Sequence, residues 1–187
     1  MEQMVKALEG ALERSAGLIA QVDAAKMENP TPCHGWDVRG LLTHIVGGAQ
    51  MFSAIARGEE FKPAGDDPIG DDPSGAFLAA KQDLLAAFSD PAVFQRTFTF
   101  PFGALPAPAG IGVMLMETFV HGWDLAKGLG VDGEIDPMLA SMILDGARMA
   151  VPPETRNADG NPFGPEVSVP DSATPTEKLV AFLGRTP

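Results

Sequence analysis

The sequence predicts a mostly helical, single-domain protein over residues 1–187, with its first four helices packed as an antiparallel bundle. Three observations favour this fold class. The chain has 187 residues, of which 45% are apolar, and this is enough to build one substantial core. Apolar residues recur at helical spacing in several long segments. Proline and glycine residues, often beside an aspartate, mark the ends of those segments.

The first two helices are predicted from their apolar stripes and their end signals. Residues 2–22 carry apolar side chains at helical spacing, and residues 38–57 repeat this pattern. Asp37 is the expected N-cap of the second helix, and Gly58 is its expected C-terminal glycine. Residues 29–36 lie between the two helices and form a loop, because two prolines and a glycine prevent a regular helix there.

The middle of the chain combines a third helix with an extended segment. Residues 58–73 form an acidic loop whose aspartates lack the ligand spacing of a calcium-binding EF-hand, so a solvated loop is expected. The third helix is predicted over residues 73–88, with Asp72 as N-cap and proline at its first position. In residues 94–102 phenylalanine alternates with other residues, which predicts a short strand or extended ribbon.

A fourth, very apolar helix is predicted over residues 109–129, and Gly130 ends it. Asp136 and the proline after it are expected to begin a fifth helix, which prolines 152–153 stop. These two helices and a short C-terminal helix complete the predicted fold class, which is mostly all-α.

The C-terminal region is predicted to hold only short elements. Residues 154–166 are rich in glycine, proline and asparagine and form a loop, and residues 167–169 are expected to form a short strand. Thr174 and Glu177 have the spacing of a capping box, with a proline between them at the first helical position. A last short helix therefore follows.

Composition excludes several classes of protein. The net charge of −12 at pH 7 argues against a nucleic-acid partner and against adsorption on an anionic membrane. No apolar run reaches transmembrane length, and the N-terminus lacks the pattern of a secretory signal. The single cysteine, Cys33, excludes an internal disulfide and fits a reducing cytoplasm. A cytoplasmic protein is therefore expected.

One pair of residues on the fourth helix indicates a metal site. Glu117 and His121 lie one turn apart, about 6 Å along the helix axis, on the same side of an apolar segment. Buried polar groups are costly unless they are satisfied, and a metal ion that binds both would satisfy them. His44, on the second helix, is the third candidate ligand. Two histidines and a glutamate form a ligand set of catalytic zinc, and bundles build such sites from facing helices.

Five further residues in or near the two motifs are interpreted as follows. Cys33 is a small buried residue, a soft metal ligand or a nucleophile. His34 lies in the proline- and glycine-containing loop and is expected on the surface. Asp124 orients a ligand imidazole, caps a backbone group or pairs with Arg39. The two tryptophans are interpreted as core anchors rather than as platforms for a substrate.

Two motifs resemble a known family. Residues 31–44 read Thr-Pro-Cys-x-Gly-Trp-Asp-Val-Arg-x-Leu-Leu-x-His, and residues 117–126 read Glu-x-x-x-His-Gly-Trp-Asp-Leu-Ala. Together they closely resemble the actinobacterial single-domain group of the DinB/YfiT-like metal-binding superfamily. They are also similar to the N-terminal domain of mycothiol-dependent maleylpyruvate isomerase. Residues 163–165 and 179–185 resemble the single-domain group as well.

The resemblance implies a fold, a metal and a cofactor. The implied fold is a DinB-like four-helix bundle of up-down-down-up topology, to which the pattern above adds short C-terminal helices and a minor β ribbon. The implied metal is a divalent ion, zinc in the first instance, held by His44, Glu117 and His121. Some relatives use a low-molecular-weight thiol such as mycothiol as cofactor or co-substrate.

Three hypotheses of function follow. In the first, the protein is a metal-dependent transferase or isomerase in which a small thiol adds to an electrophilic substrate. In the second, it is a non-enzymatic protein that binds a metal or a small molecule with the same residues. In the third, the polar trio is structural and holds no metal. The sequence identifies no separate general base, and a homodimer is compatible with each hypothesis.

Overall fold

The computed structural model describes residues 2–62, 65, 67–151, 156 and 163–187. The chain divides into two compact units, Met1–Val131 and Asp132–Pro187, and each is described by itself. The single domain over residues 1–187 stays a prediction. Prolines 152–153, most of the predicted loop over residues 154–166 and part of the acidic loop lie outside the described residues.

Four helices form most of the first unit: α1 (Glu2–Ile19), α2 (Val38–Arg57), α3 (Pro73–Ala87) and α4 (Ala107–Leu129). Helix α1 packs mainly on α4, and α2 packs mainly on α3, while contacts of α2 with α4 and of α1 with α3 close the bundle. All four helices contribute fully buried side chains to one interior, among them Leu8, Leu42, Leu84 and Leu125. The predicted fold class, a mostly helical DinB-like bundle, is confirmed.

The ends of the helices follow the capping residues in the sequence. The Asp37 carboxylate accepts a hydrogen bond from the backbone N–H of Gly40 at 2.8 Å, and Gly58 ends α2 in the left-handed conformation with φ of 75°. These two signals place α2 within its predicted bounds. Helix α1 ends at Ile19, earlier than predicted, because its last turn tightens: the N–H of Val22 donates to the carbonyl of Ile19, three residues back.

The predicted ribbon is an antiparallel hairpin of β1 (Thr97–Phe100) and β2 (Gly103–Pro106). Phe98 and Phe100 are buried, as the alternation requires, but the predicted start at residue 94 is wrong. Residues Pro91–Gln95 form a short 3₁₀ helix instead, because the Asp90 carboxylate caps it by accepting from the N–H of Ala92. A helical start signal therefore outweighs the alternation at the edge of the segment.

The second unit contains α5 (Pro137–Ala150) packed on α6 (Pro175–Phe182). The predicted capping box is confirmed, since Thr174 and Glu177 exchange side chain-to-backbone hydrogen bonds at the start of α6. The predicted strand over residues 167–169 is wrong. The N–H of Val167 donates to the carbonyl of Ala181, so this segment bonds to the end of α6 rather than to a neighbouring strand.

Helix length and hydropathy bear on one further prediction. In the part of the chain that the structure describes, no helix combines the length and the apolar character needed to cross a membrane.

Candidate metal centre

Helices α2 and α4 bring the three predicted ligand residues together. The Nε2 atom of His44 lies 3.4 Å from Oε2 of Glu117, and Nε2 of His121 lies 3.2 Å from the same oxygen. One donor atom of each residue lies within 4.8 Å of the donor atoms of the other two. His44, Glu117 and His121 therefore converge as a set, while metal binding by this set stays a prediction.

The set extends from the interior to the surface of the bundle. Glu117 and His121 are four residues apart on α4, so their side chains share one side of the helix. The side chain of His121 is 10% exposed, that of Glu117 is 28% exposed and that of His44 is 38% exposed. His121 is therefore the anchored end of the set, and His44 is the end that solvent molecules reach.

Asp124 holds the imidazole of His121 from its other side. Its Oδ2 atom lies 3.0 Å from Nδ1 of His121, and its side chain is fully buried. This position lets Asp124 orient the imidazole, and Arg39 pairs instead with Asp67 at 2.7 Å. An imidazole held at Nδ1 directs Nε2 toward Glu117, which is how carboxylates orient histidines that bind metals.

The same contacts change the acidity of the site. Burial disfavours the charged form of Glu117, but hydrogen bonds from His121 and His44 outweigh burial and hold the pKa of Glu117 well below its usual range. Burial also disfavours the charged form of His121, but Asp124 and Glu117 outweigh it and raise the pKa of His121 to about 9. Without a cation, His121 is therefore protonated at neutral pH, and a metal would replace that proton.

The spacing of the donor atoms fits a metal ion. Zinc lies about 2.0–2.2 Å from nitrogen and oxygen ligands, so two ligands of one tetrahedral zinc are roughly 3.3–3.6 Å apart. The separations here are 3.4 Å for His44 and 3.2 Å for His121, each measured to Glu117. Charge-assisted hydrogen bonds between such groups are shorter, about 2.7–2.9 Å. Both separations from Glu117 are longer than this, and the His44 separation lies within the zinc range.

Trp36 lies against both imidazoles. Its ring centroid is 4.6 Å from that of His44 and 6.0 Å from that of His121. The interpretation as a core anchor suits Trp123, which is buried, but Trp36 is only partly buried and lines a cavity. One feature of the sequence pointed to a position of Trp36 at the site, because Trp36 lies in the same motif as His44.

The cavity beside Trp36 is open to solvent and has a volume of about 610 Å³. His44 belongs both to the ligand set and to the cavity wall. The remaining wall consists of the ion pair of Arg39 and Asp67 together with Asp37, Gly40 and Thr43. A small molecule in this cavity would therefore reach the candidate ligands from the side of His44.

The sequence left Cys33 open as a metal ligand but did not predict which residues it meets. Its sulfur, a ring nitrogen of His121 and a carboxylate oxygen of Asp124 lie within 4.8 Å of one another. Cys33 is far in the sequence from His121 and Asp124, and it meets them because the loop before α2 packs on α4. His34, the other candidate in that loop, is exposed, as expected.

Together, a helical bundle and a site of two histidines and a glutamate between α2 and α4 define a class of bundle proteins with a candidate metal centre. The chain belongs to the family described as the mycothiol maleylpyruvate isomerase N-terminal domain, whose sequence model matches residues 8–126. The resemblance inferred from the two motifs is therefore confirmed.

Similar proteins have been found by sequence and by structure. Uncharacterized proteins from two strains of Mycobacterium tuberculosis are each 35% identical over 171 residues, which is 91% of this chain and 91% of theirs. Crystal structures of the mycothiol-dependent maleylpyruvate isomerase and of a histidine-to-alanine mutant of it have a similar fold. Their TM-scores are 0.59 and 0.60, with 16% identity over 76% of this chain and 69% of theirs.

Proposed function

We propose that this protein is a metal-dependent enzyme that uses a low-molecular-weight thiol of the mycothiol type in a transfer or an isomerisation. The observation that carries the proposal is the spacing of His44 and His121 about Glu117, 3.4 and 3.2 Å, which suits ligands of one divalent cation. Membership of the mycothiol maleylpyruvate isomerase family supports the thiol.

One set of residues would hold the cation, and a separate cavity would receive the thiol and the substrate. His44 Nε2, Glu117 Oε2 and His121 Nε2 would hold the cation, and Asp124 keeps His121 turned toward it. A divalent cation at this position would stabilise a small thiol as its thiolate. The chemistry of the donor set, two imidazoles and one carboxylate, is that of catalytic zinc sites.

The cavity admits the two small partners. Its wall carries the Trp36 ring for apolar contact and the Thr43 hydroxyl for hydrogen bonding. The thiol gives its proton to solvent, and its sulfur forms a bond to the electrophilic carbon of the substrate. In a transfer this bond remains and the product takes up a proton. In an isomerisation the bond breaks again and the sulfur leaves.

Cobalt substitution tests the proposal through the sulfur. Sulfur bound to Co²⁺ gives an intense charge-transfer absorption, so adding a low-molecular-weight thiol to the cobalt protein should produce this band. The His121→Ala variant should not show it. The Cys33→Ser variant is the matched control, because it removes the chain's own thiol and should keep the thiol-dependent band. An unchanged spectrum at millimolar thiol would contradict the proposal.

A second candidate, a non-enzymatic metal- or small-molecule-binding protein, is favoured by one observation. Both carboxylates of the described cavity wall are engaged: Asp37 caps α2, and Asp67 pairs with Arg39. Neither is therefore available as a general base. Turnover of an electrophile in the presence of thiol separates the two candidates, because a binding protein would show the cobalt band without turnover. The zinc preference, the cytoplasmic location and a homodimer stay predictions.

A further inference from the structure

A second cluster of metal-binding side chains lies beside the candidate metal centre. It consists of the thiol of Cys33, the imidazole of His121 and the carboxylate of Asp124, with one donor atom of each within 4.8 Å of the others. The two clusters share only His121. An imidazole has two nitrogens on opposite sides of its ring, and the Nδ1 side of His121 already faces Asp124 at 3.0 Å. One ring can therefore serve both clusters.

The loop that carries Cys33 is fixed by its own hydrogen bonds. The Thr31 hydroxyl donates to the carbonyl of Trp36 at 2.8 Å and accepts from the N–H of Cys33 at 3.2 Å. The N–H of Trp36 donates in turn to the carbonyl of Cys33 at 3.1 Å. These bonds hold the backbone of Cys33 in one conformation before any ion binds.

The same loop packs closely against α4. The Asn29 side-chain amide donates to the carbonyl of Gly128 at 2.9 Å. A β-carbon at Gly128 would come within 2.9 Å of Val38 and 3.3 Å of Thr31, so the absence of a side chain there permits the close approach. Residues before and after Cys33 therefore pack against α4, and this packing places the Cys33 thiol next to the helix.

We propose that Cys33, His121 and Asp124 form a second cation position, selective for a thiophilic divalent ion such as Cd²⁺ or Zn²⁺. A thiolate, an imidazole and a carboxylate are all zinc ligands, and the thiolate favours softer ions over Mg²⁺ or Ca²⁺. Binding releases the thiol proton and the proton on His121 Nδ1 to solvent. The buried charge of Asp124 favours a cation at this place.

Only small movements are needed to close this position. Bonds of about 2.0–2.3 Å put two ligands of one tetrahedral zinc roughly 3.3–3.8 Å apart. One donor atom of each residue already lies within 4.8 Å of the other two, so each separation changes by at most roughly 1.5 Å on binding. Oδ2 of Asp124 and Nδ1 of His121, which are 3.0 Å apart, would separate by a few tenths of an ångström, and the larger movement falls on the half-buried Cys33 side chain.

Cadmium titration with ultraviolet detection tests the second position, because thiolate bound to Cd²⁺ gives a charge-transfer absorption. The wild-type protein should bind two ions and develop this absorption. The His44→Ala variant should bind one ion and keep the absorption, and the Cys33→Ser variant should bind one ion without it. Since His44→Ala disables the ligand set of the proposed function, the two proposals fail independently.

Two outcomes would overturn the second position. One is a wild-type protein saturated with Cd²⁺ that shows no thiolate absorption. The other is loss of the absorption in His44→Ala, which would make Cys33 a ligand of the ion held by His44 and Glu117. Circular dichroism checks that each variant is folded.

A second test of the proposed position measures alkylation of Cys33 in the wild-type protein. At a Cd²⁺ concentration about ten times the dissociation constant, roughly one site in eleven stays empty, so alkylation of Cys33 should slow about tenfold. An unchanged alkylation rate in the presence of Cd²⁺ would also contradict the proposal.

Discussion

Two of the polar clusters that join helices of the bundle differ in how their members are spaced. Between α2 and α3, the Asp83 carboxylate accepts hydrogen bonds from Arg57 at 2.7 Å and from the Ser53 hydroxyl at 2.5 Å. Between α2 and α4, the imidazoles of the candidate metal centre remain 3.2 and 3.4 Å from Glu117. The first cluster satisfies itself with protein groups, whereas the second has the spacing of ligands around an ion.

The two clusters also differ in the groups that carry charge. The hydrogen bonds from Arg57 and Ser53 lower the pKa of Asp83 to about 2, so this cluster is an ordinary ion pair above that pH. In the second cluster Glu117 is surrounded by imidazoles, and His121 titrates near a pKa of about 9. The comparison supports the proposal that the second cluster binds a metal, whereas the first cluster is an ion pair between two helices.

The largest expected effect is the loss of stability of the metal-free protein at alkaline pH. Because the pKa of folded His121 is raised from 6.5 to about 9, its contribution is fully present below pH 6.5 and is lost as pH rises toward 9. The difference is on the order of 3 kcal/mol of unfolding free energy. Urea unfolding at several pH values, with chelator present, measures it.

The control for this pH dependence is a pair of histidine variants. His121→Gln should flatten the slope between pH 6.5 and 9, whereas His34→Gln, in the exposed loop, should leave it unchanged. The Asp83 cluster titrates only near pH 2 and should not contribute in this range. A slope that survives His121→Gln would assign the alkaline loss to another group.

Removal of the metal should lower the melting temperature but leave the helices intact. The apolar interior shared by the four helices carries the fold, unlike small zinc folds that need the ion. The expected loss is about 2.7 kcal/mol where the free metal concentration had been 100 times the dissociation constant. Calorimetry measures the melting temperature, and far-UV circular dichroism measures helix content. Collapse of the helical signal on chelation would show that the ion carries the fold.

Loss of the carboxylate behind His121 should weaken metal binding without abolishing it. Asn at position 124 keeps the volume of Asp124 but not its charge, so His121 is held less firmly. Outer partners of metal-binding histidines typically contribute 10–100-fold to affinity, and Asp124→Asn should fall in that range. Isothermal titration with Zn²⁺ in a Cys33→Ser background, which removes the second proposed position, measures it, with Asp83→Asn in the same background as the matched control. Equal affinities of the two variants would place Asp124 outside the metal centre.

The smallest expected effect belongs to the α2–α3 cluster. Asp83→Asn removes the charge that Arg57 faces, and since the Asp83 side chain is 53% exposed, solvent screens much of this interaction. We expect a loss of about 1 kcal/mol of unfolding free energy. Denaturant unfolding of the variant measures this loss. A variant that also lost metal affinity would show that the clusters are coupled.

Local signals predict the helices well and their surroundings less well. The bounds of α2 follow from Asp37 and Gly58, because both act within one turn of the helix. The predicted strand at residues 167–169 fails because α6 supplies the acceptor for the N–H of Val167. That bond depends on tertiary packing, which a period of two does not reveal.

In the candidate site, too, the residues on helices are predictable from the sequence, whereas those in the loop are not. Glu117 and His121 are predictable from a single helix, and His44 follows from the expectation that a bundle faces its helices. The approach of Cys33 to His121 is not predictable from spacing, because it depends on how residues 29–37 pack against Gly128. The partly exposed position of Trp36 also depends on that loop.

Zinc affinity is the most direct test of the central claim that His44, Glu117 and His121 hold a divalent metal. The measurement is competitive Zn²⁺ titration in a Cys33→Ser background, which removes the second proposed position. Each of three variants should lower the affinity more than roughly 100-fold, which is the largest effect expected of a residue that only orients a ligand. These variants are His44→Ala, Glu117→Gln and His121→Ala. His34→Ala should leave it unchanged. If His44→Ala bound Zn²⁺ as tightly as its parent, the three residues would not form one metal centre.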